Sequence, residues 1–348
     1  MARKLRMGGV GLGMGRAHIN GYLSHPDAEL AALCDVDEAR LGAAAAEFGV
    51  PATYADTAEM FKEGGLDAVS IAVPNKLHAP LTVAALKAGL HVLCEKPPAM
   101  TVKESQRMQA TAEKAGKNLM INFSFRFNDM SYALKQQVEA GVVGDIYFGR
   151  SVWHRRRGAP KMGGWFGIKE WSGGGPLIDL GVHRLDLALW LMGYPEPVSV
   201  SGSTYDEIVP KLARKERKQY DVEDLAVGLV KFANGASLVL EASWALHINE
   251  NEHMVTSLYG DKGGLVQKNV GGGYGFEAEV YTEEGGNFFS KKLDRRLIKA
   301  PSAYHEFVDS VRDGRPPLAT GEEGVKVMKI LEGIYKSAAT GKEVRYRG

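Results

Sequence analysis

Cysteine is scarce in this chain of 348 residues, which contains only Cys34 and Cys94. Each of them ends a predicted strand, and their number and spacing provide neither a disulfide framework nor a zinc site. The basic N-terminal stretch MARKLRMGGV lacks the apolar core of a signal peptide. These absences predict a cytoplasmic protein with no structural metal.

An excess of charge of one sign is also missing. The chain has 43 Lys and Arg against 42 Asp and Glu, which gives a formal net charge of +1. This balance provides no general attraction to nucleic acid or to an anionic membrane, and a basic run at residues 211–218 is expected to be a solvated loop. No apolar run reaches the roughly 18 residues of a membrane-spanning helix. The expected partner is therefore a small molecule.

What the chain does contain is a change of pattern along its length. The first 122 residues alternate short apolar runs with helical patterns, which predicts a doubly wound parallel sheet with helices on both faces. After about residue 145, period-2 strands joined by turns such as Asn234-Gly235 predict an open, mainly antiparallel sheet. We expect an α/β domain at 1–122 and an α+β domain at 123–348, closed by a helix at 321–338, because one core rarely serves so long a chain.

A glycine-rich turn, GGVGLGMGRAH, follows the first predicted strand and opens the first helix. Glycines at this place let the backbone approach a pyrophosphate at the helix N-terminus, as in a dinucleotide fingerprint. The spacing Gly11-x-Gly13-x-Gly15 is one residue shorter than the usual fingerprint, and Met14 lies within it. A merely flexible loop is the alternative, but the position after the first strand favours a cofactor.

Further cofactor candidates lie at the ends of predicted strands. Asp35 ends the second strand, where a carboxylate binds the adenosine ribose and repels a 2′-phosphate. This favours NAD over NADP, although Arg40 nearby leaves NADP open and a helix cap is the alternative role of the acidic group. The carboxyl ends of the fourth and fifth strands, where open α/β sheets bind ligands, contribute Pro74, Asn75, His78, Glu95 and Lys96.

The segment GGGPLIDLGVHRLDLALWLM predicts an apolar helix over 176–192 that is interrupted by Asp179 and His183. Residues four apart share a helical face, and burying such a pair needs a compensating reason. Proton transfer is one such reason, whereas a helix cap and a core histidine are the alternatives. Upstream, a loop at 153–171 rich in aromatic and basic groups offers Arg156 and Trp165 for substrate binding; an oligomer contact is its alternative role.

The motifs GLGMGRAH, CDVDEARL, IAVPNKLHAP, HVLCEKPPA, FRFN, SGGGPLIDLGVHRLDL and SAATGKEV together resemble the Gfo/Idh/MocA family over essentially the whole chain. The resemblance implies a Rossmann domain, an open antiparallel sheet, and NAD(P)-dependent oxidation or reduction of a sugar or polyol carbon. It also implies that Lys96 lies near the reacting hydroxyl and the nicotinamide, that Asn75 lies near the nicotinamide ribose, and that His183 beside Asp179 is the acid/base. A homodimer or homotetramer is implied as well.

The expected function is therefore an NAD(P)-dependent dehydrogenase of a sugar, cyclic polyol or glycoside. Nicotinamide accepts the hydride, so the protein has to supply a base and orient the carbon. An unperturbed imidazole titrates near pH ~6.5, which suits His183, and Lys96 can stabilise charge on the reacting oxygen. A redox-neutral glycoside-cleaving enzyme and a non-catalytic nucleotide sensor are the alternatives.

Overall fold

The computed structural model describes residues 3–294, 296 and 298–346, which form two compact units. The first unit ends at Asn122 and also includes Pro301–Met328, whereas Phe123–Ala300 and Lys329 onward form the second. The sequence-based division placed residues 301–328 in the second domain, whereas in the structure they belong to the first unit. The reason lies in the pairing of the backbone, since the N–H of Ile121 donates to the carbonyl oxygen of Ala319 at 3.0 Å.

The first unit is built on a parallel sheet of six strands. They are β1 (Leu5–Val10), β2 (Ala28–Cys34), β3 (Thr53–Tyr54), β4 (Ala68–Ile71), β5 (His91–Cys94) and β6 (Leu119–Ile121). Their order is β3-β2-β1-β4-β5-β6, so the direction of winding reverses between β1 and β4. Open α/β sheets bind ligands outside this reversal, at the carboxyl ends of the strands.

Helices connect these strands. They are α1 (Gly15–Leu23), α2 (Glu38–Phe48), α3 (Thr57–Glu63), α4 (His78–Lys87) and α5 (Val102–Ala115), joined by α10 (Ala303–Arg312), which packs against α1. Side-chain caps define several starts, among them Asp37 for α2 and the reciprocal Thr101–Glu104 capping box for α5. Cys34 and Cys94 are buried, and burial raises the pKa of each thiol to about 12.

The second unit is built on a nine-stranded sheet. Its strands are β7 (Ile146–Arg155), β8 (Pro197–Tyr205), β9 (Leu225–Phe232), β10 (Ser237–Ser243), β11 (Glu252–Gly260), β12 (Gly263–Val270), β13 (Gly275–Glu284), β14 (Asn287–Lys292) and β15 (Val344–Arg345). All neighbours are antiparallel except β7 and β10. The Asn234-Gly235 turn joins β9 to β10, with Gly235 at φ +86°. The predicted mainly antiparallel sheet is confirmed.

The helices of the second unit are α6 (Asp129–Glu139), α7 (Lys169–Ser172), α8 (Val182–Leu191) and α9 (Val209–Lys215). The long α11 (Gly321–Thr340) begins in the first unit and ends in the second. Most of the basic run at 211–218 lies on α9, so the prediction of a loop there was wrong. Across the described residues, no helix is long and apolar enough to cross a membrane.

The predicted single helix over 176–192 is two elements. A π-helical turn spans Leu177–Gly181, and α8 follows directly with every residue buried. Helix α8 packs on β7, where the Ser151 hydroxyl donates to the carbonyl oxygen of Arg184 at 2.9 Å. The α-helical spacing assumed for Asp179 and His183 therefore does not hold across the π turn, a feature that often marks functional sites.

Candidate active site

The glycine-rich turn between β1 and α1 shows three different reasons for glycine. Gly11 has φ +83°, and a Cβ there would collide with the carbonyl oxygen of Ala72. A Cβ on Gly15 would lie 3.4 Å from the Cβ of Ala72, whereas one on Gly13 would have no atom within 4 Å. A tight turn, an open approach and close helix–strand packing are the three demands of a dinucleotide-binding turn. Despite its shortened spacing, the turn therefore fits the pyrophosphate of NAD, and Met14 beside it is 71% exposed.

The end of β2 carries a buried carboxylate that organises this turn. Asp35 accepts hydrogen bonds from the N–H of Leu12 at 2.8 Å and from the N–H of Asp37 at 2.9 Å. The Arg40 guanidinium lies 3.2 Å from the same carboxylate and also pairs with Asp37. Because each carboxylate oxygen can accept more than one hydrogen bond, a ribose hydroxyl could share Asp35 with these donors.

The loops after β4 and β5 are tied together by His78. Its Nδ1 lies 2.6 Å from the carbonyl oxygen of Pro97, and its Nε2 lies 2.8 Å from that of Val73. Burial lowers the pKa of His78 although these carbonyls oppose the shift. The ring thus holds the half-buried Pro74 and the buried Asn75 next to the loop that carries Lys96.

A buried polar network supports Lys96, and sequence analysis missed most of it. His18 Nε2 on α1 lies 2.8 Å from Glu95 Oε1, and the Asn122 amide donates to the same oxygen at 2.6 Å. The backbone N–H of Lys96 donates to Glu95 Oε2 at 3.1 Å. Burial acts to raise the pKa of Glu95, but His18, Lys96 and Asn122 together lower it to about 2. Glu95 is therefore ionised at neutral pH.

In the second unit, Glu223 holds the glycine run that leads into the π turn. Its carboxylate accepts hydrogen bonds from the N–H of Gly175 at 2.9 Å and from the Tyr335 hydroxyl at 2.7 Å. A Cβ on Gly175 would collide with the carbonyl oxygen of Glu223, which explains the glycine. Burial raises the pKa of Glu223. Beyond this run, Asp179 Oδ2 accepts a hydrogen bond from the Trp244 indole N–H at 3.0 Å.

His183 lies against an aromatic wall. Its ring centroid is 4.9 Å from that of Phe125 and 5.8 Å from that of Trp153, and 9% of the residue is exposed. The Trp153 indole N–H donates to Glu252 Oε2 at 2.6 Å, which fixes the orientation of this ring. An imidazole that is nearly dry and touches two aromatic rings has a defined orientation, as a proton acceptor requires.

A charged cluster lies beside this wall. Arg155 pairs with Glu252 at 2.9 Å and donates to the Tyr274 hydroxyl at 2.8 Å. Burial acts to lower the pKa of Arg155, but the charges of Glu252 and Asp179 raise it. Arg155 therefore remains a cation that interacts with two carboxylates, and this cluster offers both donors and acceptors to a hydroxyl-rich ligand.

The two substrate-binding residues predicted on segment 153–171, Arg156 and Trp165, are not among the residues of the aromatic wall or the charged cluster described above. Arg156 is exposed and its backbone N–H donates to Asn251, while Trp165 is half-buried and stacks on Phe166 at 3.9 Å. The prediction of a loop from 153 was wrong, because β7 continues to Arg155. Alternation along β7 places Trp153 and Arg155 on the same face of the sheet. This period-2 spacing is the sequence signal that could have identified Arg155. Within the described part of the chain, no cluster of three His, Cys, Asp or Glu residues could hold a metal ion.

Comparison with known proteins agrees with the parallel sheet of the first unit and with the mainly antiparallel sheet of the second. Residues 5–123 match the oxidoreductase family model with an NAD-binding Rossmann fold, and residues 135–346 match its C-terminal alpha/beta domain. The chain belongs to the Gfo/Idh/MocA oxidoreductase family. Its first domain is thus an NAD-binding Rossmann domain, as the glycine turn and Asp35 predicted.

Members of this family with named activities are similar over nearly the full length. D-glucoside 3-dehydrogenase of Escherichia coli is 35% identical, with 98% of this chain and 97% of that protein covered. Myo-inositol 2-dehydrogenase of Thermotoga maritima is 30% identical, with 98% of both chains covered. Among solved structures, GenD2 from gentamicin A biosynthesis in complex with NAD has a TM-score of 0.82 and 26% identity, with 100% of this chain and 98% of that one covered.

Proposed function

We propose that this family member oxidises a secondary alcohol on the ring of a sugar, cyclic polyol or glycoside. The observation that carries the proposal is the oriented His183 imidazole, which adjoins an aromatic wall and the Arg155–Glu252–Tyr274 cluster. Aromatic faces pack on the apolar faces of sugar rings, and the cluster supplies hydrogen bonds to hydroxyls. The named activities of the glucoside and inositol dehydrogenases support the same substrate class.

In this proposal, NAD supplies the acceptor for the hydride when it is bound to the first unit. The turn at 11–15, Asp35, Pro74 and Asn75 would hold it. His183 accepts the proton of the reacting hydroxyl, and Asp179 orients the imidazole or a neighbouring hydroxyl. Lys96, whose backbone is fixed by Glu95, stabilises negative charge on the reacting oxygen. Arg156 and Trp165 remain candidates for outer substrate contacts.

The test is a screen of glucosides, aldoses and inositols with NAD and with NADP, followed by NADH or NADPH absorbance. His183→Gln and Lys96→Met should each lower kcat by about 10²–10⁴, and the dissociation constant for NAD should stay unchanged in His183→Gln. His253→Gln on β11, where the histidine side chain is 41% exposed, is the matched control and should keep full activity. Unchanged turnover in His183→Gln would refute its acid/base role.

Three further outcomes of the same screen are informative. Release of an aglycone without accumulation of NADH would indicate redox-neutral glycoside cleavage instead of net oxidation. A preference for NADP would mean that Arg40 turns from its pair with Asp35 to the 2′-phosphate. NAD binding without turnover of any substrate would favour the nucleotide-sensing alternative.

The expected homo-oligomer also has a structural candidate for its contact. On one face of the nine-stranded sheet, Phe148 and Tyr259 stack at 6.0 Å while 36% and 42% of their surfaces are exposed. Leu229 on β9 lies on the same face and is 39% exposed. Exposed apolar side chains on a sheet are typical of a surface that a second subunit covers. Light scattering would give the mass in solution, and Tyr259→Lys should shift it toward the monomer.

A further inference from the structure

One buried charge in the second unit has no counterion among the residues that the structure describes. Arg184 follows His183 on α8 and is 0% exposed. Its Nη1 donates to the amide oxygen of Gln267 at 2.9 Å, while Nε and Nη2 have no hydrogen-bond acceptor among the described residues. Burial lowers the pKa of Arg184 to about 9, so the guanidinium is still a cation at neutral pH.

The other charges around this helix have partners of opposite sign. Arg126 and Asp186, both almost fully buried, form an ion pair at 2.6 Å. Arg155 pairs with Glu252, as described above. The charged and titratable groups on the elements packed around this part of α8 include Asp179, Arg155, Glu252, Tyr274, Arg126, Asp186, Tyr194, Tyr132, Lys135 and Glu139. Arg184 differs from the rest because its one hydrogen-bonded partner is a neutral amide.

The ring of Phe125 is in contact with both Arg184 and His183. The Arg184 guanidinium lies 5.2 Å from the centroid of Phe125 and 5.5 Å from that of Phe276. The centroid of the His183 ring lies 4.9 Å from that of Phe125. Imidazole and guanidinium are therefore both in contact with one ring, inside a region of low dielectric where charges interact over this distance. A fixed cation there disfavours a second positive charge on the imidazole.

We propose that Arg184 is a positioning residue, whose uncompensated charge keeps His183 neutral and whose contact with Phe125 holds the imidazole in place. The inference rests on the proposed role of His183 as the proton acceptor. A base acts only in its unprotonated form, and an ordinary histidine is partly protonated near neutral pH. The buried cation would extend the active range of the enzyme toward lower pH.

The most decisive test gives Arg184 a counterion without changing the size of the side chain that contacts it. Gln267→Glu is isosteric, and the Ser131 hydroxyl, which now lies 2.5 Å from Gln267 Nε2, can donate to the new carboxylate. The acidic limb of the kcat/KM profile should move up by about one pH unit, the size expected for a unit charge at this separation. Arg184→Met should move the limb in the same direction, and Arg184→Lys, which retains the charge, should leave it near the wild-type position.

A purely structural role for Arg184 makes a different prediction. Arg184→Met and Arg184→Lys would then lower activity equally at every pH, and Gln267→Glu would leave the limb unmoved, which would overturn the proposal. The isosteric Gln267→Glu keeps the test decisive even where Arg184→Met does not fold.

A measurement without turnover separates this inference from the proposed function. The imidazole of His183 is titrated by NMR in the NAD-bound protein, with His183→Gln assigning the signal. In Gln267→Glu and Arg184→Met the midpoint of that titration should move to higher pH, and an unmoved midpoint in both would refute the inference. If His183→Gln retains full turnover, the acid/base role fails while the titration still decides whether Arg184 controls the imidazole.

Discussion

A buried charge has charged or several hydrogen-bond partners in the first unit, whereas a buried charge in the second unit has one neutral partner. In the first, the Glu95 carboxylate receives hydrogen bonds from His18, Asn122 and the backbone of Lys96, and its pKa falls to about 2. In the second, Arg184 has a single neutral acceptor, and burial lowers its pKa to about 9. Folding therefore stabilises the charged form of Glu95 and destabilises that of Arg184. The first charge contributes to the stability of its domain, whereas the second is better explained by an effect on its neighbour His183.

The largest expected effect comes from removing the compensated charge. Glu95→Gln should lower the free energy of unfolding by about 3 kcal/mol at pH 7, because the shifted pKa reports that much preference for the ionised form. Chemical denaturation measures the change. Glu59→Gln, on the exposed surface of α3, is the control and should change stability by less than about 0.5 kcal/mol. Equal stability of the two variants would show that the network around Glu95 is not stabilising.

The same carboxylate predicts the pH dependence of stability. Its pKa is lower in the folded protein than the ordinary value of 4.5, so its contribution is complete above about pH 4.5 and is lost as the pH falls toward 2. Melting temperatures across this window should fall less steeply in Glu95→Gln than in the wild type. Parallel curves would mean that other carboxylates dominate acid unfolding.

Removing the uncompensated charge should have the opposite sign. Arg184→Met replaces a buried cation by an apolar side chain of similar length, a change that is often neutral or stabilising by about 1–4 kcal/mol. We expect stability at or above the wild type, by up to about 2 kcal/mol, together with the altered pH profile described above. A loss of stability as large as that of Glu95→Gln would show that the guanidinium holds the fold together.

Much of the architecture could be predicted from local sequence, whereas the buried hydrogen-bond networks around Glu95 and Arg184 could not. The alternation of apolar runs and helices identified the parallel sheet, and Asn234-Gly235 identified a hairpin, because both signals lie within a few consecutive residues. His18 and Glu95 are 77 positions apart, and Arg184 and Gln267 are 83 apart. No periodicity relates such residues, since the fold alone brings them together.

Smaller misses have local causes. The continuation of β7 to Arg155 was not recognised in the sequence, and a shift of one residue along a strand exchanges the two faces of the sheet. Arg156 therefore stays a prediction, on the face opposite to that of Arg155. The π turn before α8 escaped prediction because its residues have the same apolar pattern as an ordinary helix. Lys96, Asp179 and His183 were predicted as catalytic residues because they match family motifs, and that match does not reveal what surrounds each side chain.

The smallest expected effect concerns Asp179, whose surroundings are intermediate between those of Glu95 and those of Arg184. Its carboxylate accepts a hydrogen bond from the indole N–H of the fully buried Trp244 and interacts with the positive charge of Arg155. Trp244→Phe removes that donor but keeps an aromatic ring, so unfolding should become easier by about 1 kcal/mol. Because Asp179 would then be held less firmly, kcat/KM should fall several-fold while the dissociation constant for NAD stays constant. Wild-type stability with reduced kcat/KM would assign this hydrogen bond to orientation alone. Wild-type values of both would show that the Trp244 hydrogen bond does not fix Asp179.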